Sequence, residues 1–351
     1  MFDIGFYMGV NEIKNQLCEG HKIEKEYLSK RFEELRDGTP VIYNIETTNA
    51  CNMKCKMCPR TTMMTRRIET IDRDIFLKII DQIEPHPEEK WTQWENFVQK
   101  EYGITKEGMS ENHFFLYVIP RVLQLHGYGD PLLDKNMPEY IGMLTARGIP
   151  SYFSCNPSNI NIDKTIQMFE NGLSYIKYSI ESTDDSRHKE IRGQVSNFTA
   201  GCRKILQLLE LKAKRNCRTT IVITMLDLNR RRQKEEFESL RELFNGLDVY
   251  IYLKSEDQQW YRKDYHGTCS IHWSEFCKHP WMSMTIKSNG EAVMCMEDFN
   301  NEIVLGDARN ESLYDIWNGE KYRKFRQNHF DLAPQIKCTQ QCDMKLIGHF
   351  T

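Results

Sequence analysis

Cys51, Cys55 and Cys58 fall in "CNMKCKMCPR" with the spacing C-x3-C-x2-C, and no fourth cysteine or histidine is nearby. Deprotonated thiols are soft metal ligands. A structural zinc site closes with four ligands, and a cubane iron–sulfur cluster is normally held by four cysteines. Three clustered thiolates suit a cubane with one iron left open, where a substrate or cofactor can bind. That arrangement points to chemistry at the iron rather than simple electron storage. Zinc with a remote fourth ligand and three buried, metal-free thiols are the competing readings of the same residues.

A second cysteine set lies in the tail. Cys277 is followed by 12 residues, Gly290, four residues and Cys295; Cys338 and Cys342 are three residues apart, and Cys269 lies upstream. Asn289-Gly290, inside "MSMTIKSNGEAVMC", predicts a hairpin on a type I′ turn, whose positive φ suits both residues. Such a hairpin brings Cys277 and Cys295 together. These thiolates could close around zinc or a second cluster. Cys18, Cys202 and Cys217 sit in or beside helical patterns and read as ordinary thiols.

The elements that must position these residues alternate between strand and helix. Strand patterns occur at 41–46, 121–126, 150–154, 175–180, 219–224 and 248–253, and helical patterns at 72–83, 137–147, 163–171, 200–214 and 233–244. Six β-α units in series predict an α/β fold with a parallel sheet, a partial (β/α)6 barrel. Sites in such folds sit at the C-terminal ends of strands, and the Cys51–Cys58 loop follows the first strand directly. The expected division is a helical extension over 1–40, the partial barrel over 41–255, and a small C-terminal α+β cluster-binding domain over 256–351. Residues 84–118 form a long, charged, aromatic-rich insertion carrying Trp91 and Trp94, readable as a lid or as a surface addition.

The 351 residues carry a net charge of −3, which offers no global attraction to nucleic acid or an anionic membrane. No apolar run is long enough to span a bilayer, and the N-terminus lacks a signal-peptide pattern. The expected location is cytoplasmic, where thiols stay reduced, so many of the 12 cysteines are ligand or catalytic candidates.

C-x3-C-x2-C directly after the first strand of a β-α repeat resembles the radical S-adenosylmethionine (SAM) superfamily. The resemblance implies that Cys51, Cys55 and Cys58 hold a [4Fe–4S] cluster whose open iron chelates SAM. One electron then cleaves SAM to a 5′-deoxyadenosyl radical that abstracts hydrogen from substrate. "GYGDPLL" resembles the family's Gly-Gly-Glu-Pro motif, implying that the backbone of Gly127, Tyr128, Gly129 and Asp130 meets SAM, with Tyr128 and Asp130 replacing the commoner Gly and Glu. The resemblance also implies roles for Glu181 near the SAM ribose, for Arg192 at the SAM carboxylate, and for Asn229 after the fifth strand. Cys155, in "YFSCNPS", stands where the family usually reads Thr-Asn-Gly and is a candidate hydrogen-atom donor.

The tail resembles the SPASM and twitch extensions of that superfamily. It implies one auxiliary [4Fe–4S] cluster on Cys277, Cys295, Cys338 and Cys342, with Cys269 as an alternate ligand. Members resembling 2-deoxy-scyllo-inosamine dehydrogenase imply oxidation of a sugar or cyclitol alcohol to a ketone, with the auxiliary cluster as electron acceptor. Members resembling sulfatase maturases imply peptide modification by crosslinking or epimerisation, and a sugar epimerase using Cys155 is a further alternative. A flavodoxin- or ferredoxin-type reductant is the implied partner. An iron–sulfur electron carrier or a zinc scaffold is the non-enzymatic alternative.

Overall fold

The structure is a computed structural model that describes residues 1–255 and 277–331; Cys269, Cys338 and Cys342 lie outside them. The six expected strands are present: β1 (Ile42–Ile45), β2 (Leu123–Gln124), β3 (Ser151–Cys155), β4 (Tyr175–Ser179), β5 (Thr220–Leu226) and β6 (Val249–Lys254). Each pairs in parallel with the next. Helices Arg73–Ile80, Met137–Ala146, Ile162–Glu170, Phe198–Lys214 and Gln233–Leu243 lie between or after them. Asp72, Asn161 and Asn197 start three of these helices, their side chains accepting first-turn N–H groups.

One face of the sheet is apolar at alternate positions. Leu123, Leu125, Phe153, Ile176, Ile221 and Ile223 join Phe76, Tyr140, Leu144, Phe169, Ile205 and Leu208 of the helices in one core. Burying such a side chain stabilises the fold by roughly 1.5–3 kcal/mol. This outer packing leaves the opposite, inner face of the unclosed barrel for a site.

The tail does not stand apart from the barrel. β7 (Met284–Ile286) pairs in parallel with β1, and β8 (Glu291–Val293) and β9 (Val304–Asp307) continue antiparallel. The result is one nine-stranded sheet of order β6-β5-β4-β3-β2-β1-β7-β8-β9, which sets β1 in its interior. The β7–β8 turn is longer than the expected two-residue type I′. Only Gly290 in it takes a positive φ, 84°. Lys287 O accepts from Gly290 N at 2.8 Å and Lys287 N donates to Glu291 O at 2.9 Å. Asn289 keeps an ordinary φ because its side chain already satisfies the Glu291 N–H at 3.2 Å. A turn closed by one left-handed glycine is a common longer hairpin connection.

The 84–118 insertion packs as a wall. Helix Glu88–Tyr102 lies against the N-terminal helix Ile4–Cys18, and the fully buried Trp94 donates Nε1–H to Leu116 O at 2.7 Å. Phe114 sits among Tyr152, Tyr175, Tyr250 and Tyr252 on the inner face. Farther along, Met109 Sδ meets the Ile251 N–H at 3.2 Å and Glu111 accepts from Ser255 N at 2.8 Å. The insertion therefore runs along β6, the free edge of the parallel sheet, and meets the Ile251 N–H there.

Candidate active site

The cysteine loop is held by a second loop beside it. Lys54 N donates to Arg192 O at 3.0 Å and Lys56 N to Ile191 O at 2.9 Å, so Cys55 lies between two backbone bonds. Gly193 ends the helix Asp185–Arg192 at φ 103°, and a Cβ there would press on Lys54 N at 2.8 Å. Cys55 is buried, while Cys51 and Cys58 are half-buried. Burial pushes the Cys51 and Cys58 thiols up to about 11, and the neighbouring thiols oppose one another's ionisation. Three clustered sulfurs become thiolates together only around a shared cationic centre. The donor set thus fits an iron–sulfur cluster. Among the described residues no three His, Cys, Asp or Glu side chains are already gathered at ligand spacing, so ligation requires these thiols to turn onto a common point.

"GYGD" passes against the chain that enters this loop. A Cβ on Gly129 would fall on the Thr48 carbonyl oxygen, with the carbonyl carbon at 2.7 Å; one on Gly127 would meet Glu46 Cγ at 2.8 Å. Both glycines are there for close approach. Tyr128 donates its N–H to Glu46 at 3.1 Å and its hydroxyl to Glu297 at 2.8 Å. Asp130 donates N–H to Ala50 O at 2.8 Å, one residue before Cys51. Its carboxylate accepts from Leu132 N, Asn156 N and Asn159 Nδ2 at 3.0, 3.1 and 2.7 Å, which ties the ends of β2 and β3 together.

Glu181 and Arg192 meet at the end of β4. Glu181 is 1% exposed; one carboxylate oxygen pairs with Arg192 Nη2, and the other accepts from Leu226 N at 2.9 Å. Arg192 Nη1 points to Cys55 Sγ at 3.5 Å. His188 Nδ1 accepts from Glu181 N at 3.3 Å, and burial lowers this imidazole to about 4, leaving it neutral. Arg230 donates to the Glu181 carbonyl. Among the described residues, Arg192 Nε, Arg230 Nε and His188 Nε2 are buried without a hydrogen-bond partner. Asn229 does not join them: it is exposed at φ 51°, turning the chain so that its neighbour Arg230 reaches the site.

Cys155 sits on the other side of the sheet. Along β3 Tyr152 lies on the inner face and Phe153 in the outer core; the period of two puts Cys155 with Phe153. Its thiol lies 3.7 Å from Lys177 O, buried against the helix layer, and burial pushes its pKa well above the ordinary thiol value. A sulfur on that side does not face the inner site.

In the tail, Cys277 N donates to His329 Nε2 at 2.9 Å, and Cys295 is half-buried near Lys287. The residue that joins this region to the cysteine loop went unnoticed in the sequence. Glu46, fully buried, accepts from Arg66 Nη2 at 2.7 Å, Tyr128 N at 3.1 Å and Ser288 Oγ at 3.0 Å. Burial acts against its charge, but Lys287 and Arg66 hold it below the ordinary carboxylate range. A polar band on the inner face was missed as well: Asn44, Gln124, His126, Ser154, Ser179 and Thr224. Thr285 Oγ1 donates to Asn44 at 2.9 Å, Ser154 and Ser179 hydroxyls lie 3.5 Å apart, and His126 packs edge-on to Tyr152. Polar residues at every second position of otherwise apolar strands were the available signal.

The family model of the iron–sulfur cluster-binding domain SPASM matches residues 277–343. A curated relative, the tungsten-containing aldehyde ferredoxin oxidoreductase cofactor-modifying protein of Pyrococcus furiosus, is 20% identical over 325 residues, covering 80% of this chain and 82% of that protein. Streptococcus suis SuiB bound to S-adenosylmethionine superposes with TM-score 0.55 at 12% identity, over 92% of this chain and 83% of that one. The anSMEcpe protein with bound AdoMet gives 0.51 at 12% identity, over 86% and 88%. Because the Radical SAM superfamily model matches residues 45–244, more than half of the chain and the run from the end of β1 past the helix Gln233–Leu243, this protein belongs to the radical SAM superfamily.

Proposed function

We propose that this protein is an oxidoreductase that converts an alcohol carbon of a small polyol, a sugar or cyclitol, to a ketone. The observation that carries the reading is the inner face, with its polar band set above an aromatic floor and walled at β6 by the insertion. Cys51, Cys55 and Cys58 would hold the SAM-binding [4Fe–4S] cluster, and Cys277 and Cys295, with Cys338 and Cys342, an auxiliary one. When bound, these groups supply one electron that cleaves SAM to a hydrogen-abstracting fragment and a sink for the electron the substrate gives up.

The chain's own residues do the rest. The backbone from Gly127 to Asp130, together with Glu181 and Arg192, would hold SAM at the C-terminal edge of the strands. Asn44, Gln124, Ser154, Ser179 and Thr224 offer neutral donors and acceptors suited to hydroxyl groups. Burial and Lys177 lower the His126 imidazole to about 3, so it stays neutral, and its Nδ1 has no partner among the described residues. That edge can bond a substrate hydroxyl. The rings of Phe114, Tyr152, Tyr250 and Tyr252 exclude water from below. A flavodoxin- or ferredoxin-type protein would deliver the initiating electron.

Glu181→Ala or Arg192→Ala is expected to weaken SAM binding about tenfold or more while iron content holds, since a charge-assisted contact contributes roughly 1.5–3 kcal/mol. Equilibrium binding on the iron-loaded variants checks this, and wild-type affinity in either one removes that residue from the SAM site.

The reaction itself is tested by anaerobic turnover of polyols deuterated at their carbinol carbons. Deuterium in 5′-deoxyadenosine, with a ketone product, is expected, and Cys155→Ala should retain product formation. Untouched polyols beside a modified peptide, or solvent deuterium incorporated at carbon, would overturn the assignment.

A further inference from the structure

We infer that Arg192 sets the reduction potential of the cluster that its neighbouring loop would carry, by donating Nη1–H to the sulfur of Cys55. The inference rests on the reading that Cys51, Cys55 and Cys58 hold that cluster. The distance is 3.5 Å from Nη1 to Sγ. Among the described residues, no other side chain donates a hydrogen bond to a sulfur of this loop; the remaining contacts of this kind are backbone N–H groups, Met53 on Cys51 at 3.4 Å and Arg60 on Cys58.

The guanidinium is fixed from both sides, so this is a built contact. On its far side Nη2 pairs with Glu181, which is itself immobilised by the Leu226 N–H at 2.9 Å. On the near side the backbone of Ile191 and Arg192 accepts from Lys56 N and Lys54 N, the residues flanking Cys55. Arg192 closes a helix stopped by the left-handed Gly193, so its backbone cannot continue past the loop. The backbones of Cys55 and Arg192 are therefore held together, and the guanidinium stays beside the Cys55 sulfur when that thiol turns onto the cluster.

A cation and an N–H directed at a cysteinyl sulfur stabilise the more negative, reduced form of an iron–sulfur centre more than the oxidised one. Hydrogen bonds to sulfur and net charge are among the determinants of such potentials. Arg192 would thus make the first electron easier to accept, independently of any contact it makes with SAM. Its Nε–H, buried and unpartnered among the described residues, leaves one donor for a bound ligand. Arg192 is in this respect a positioning and tuning residue, acting through Cys55.

The test is a redox titration of the anaerobically loaded, full-length protein without SAM, following the electron paramagnetic resonance signal that the Cys51→Ala/Cys55→Ala/Cys58→Ala variant lacks. Arg192→Gln is expected to lower the reduced-to-oxidised ratio about tenfold at a fixed potential, a negative shift of about 59 mV for one electron. Arg192→Lys should shift in the same direction by less, whereas Glu181→Gln, which keeps the cation and removes an anion, should shift the other way. A merely structural role would change iron content or melting temperature but leave the potential of loaded protein where it was. A wild-type midpoint in iron-loaded Arg192→Gln overturns the inference. Where that variant does not load iron, a wild-type midpoint in Arg192→Lys does so instead. Failure of the underlying reading is distinct: the signal would then persist in the triple cysteine variant.

Discussion

Replacing Cys51, Cys55 and Cys58 together by alanine is expected to yield a folded protein with about half its iron and no detectable SAM cleavage. Two four-iron clusters predict about eight irons per chain in the parent and about four in the variant. The fold should survive because the loop is held by its backbone rather than its sulfurs. Lys54 and Lys56 bond to Arg192 and Ile191 through main-chain atoms, and Arg60 Nε donates to Asn49 O at 2.8 Å. The second cysteine set starts some two hundred residues later in the chain, so its ligands remain. Activity should vanish rather than decline, since no other described cysteine group offers three thiols on one loop. Anaerobic iron and sulfide analysis beside chromatographic assay of 5′-deoxyadenosine makes the comparison. Zinc in the parent protein, or SAM cleavage persisting in the variant, would refute the assignment.

Gly129→Ala should be the most damaging single methyl group near the site. The added carbon would land on the Thr48 carbonyl and within 2.8 Å of Asn49 Cα, both backbone atoms that no rotamer change can move aside. Overpacking of this kind costs about 1–3 kcal/mol and sometimes more. The strain also has somewhere harmful to go. Asp130 N is bonded to Ala50 O at 2.8 Å, so displacing the glycine motif drags the residue next to Cys51. The variant should unfold at lower urea concentration and lose iron from the SAM-binding site. Gly142→Ala is the matched control, because its new methyl lies 3.7 Å from the nearest atom, in a helix. That change should stabilise by about 0.5–1 kcal/mol. Wild-type stability and iron content in Gly129→Ala would show that the close approach is not required.

The local parts of this protein were legible in its residues. Each of the six parallel strands announces itself as a short apolar run between turn residues, and each overlaps the stretch expected for it, with β3, β5 and β6 running one or two residues past its end. The three-thiol loop, the paired glycines and the Asn289-Gly290 hairpin are contiguous signals, set by covalent spacing and by backbone sterics acting within a few residues. Glu181 and Arg192 were named from the family resemblance, and they lie just after β4 and at the end of the helix Asp185–Arg192.

What the sequence left open depends on which surfaces meet. Cys155 ends a strand at the functional edge, yet a side chain's face is decided by strand register, and register is set by packing against helices far away in sequence. The insertion's tryptophans marked it as anchored, but only tertiary contact shows that the anchor is the N-terminal helix and that the edge it meets is β6. Glu46 reads as one acid at a strand end. Its role exists because Arg66, Tyr128 and Ser288, from three separate segments, converge on it and offset the cost of burying its charge. Arg192 could be placed near a ligand from its motif, while its contact with Cys55 needed the docking of two loops 137 residues apart. Short-range chemistry fixes which groups the chain carries and roughly where each element begins. Only the folded sheet, through pairings and burial over long separations, decides which of those groups share a face.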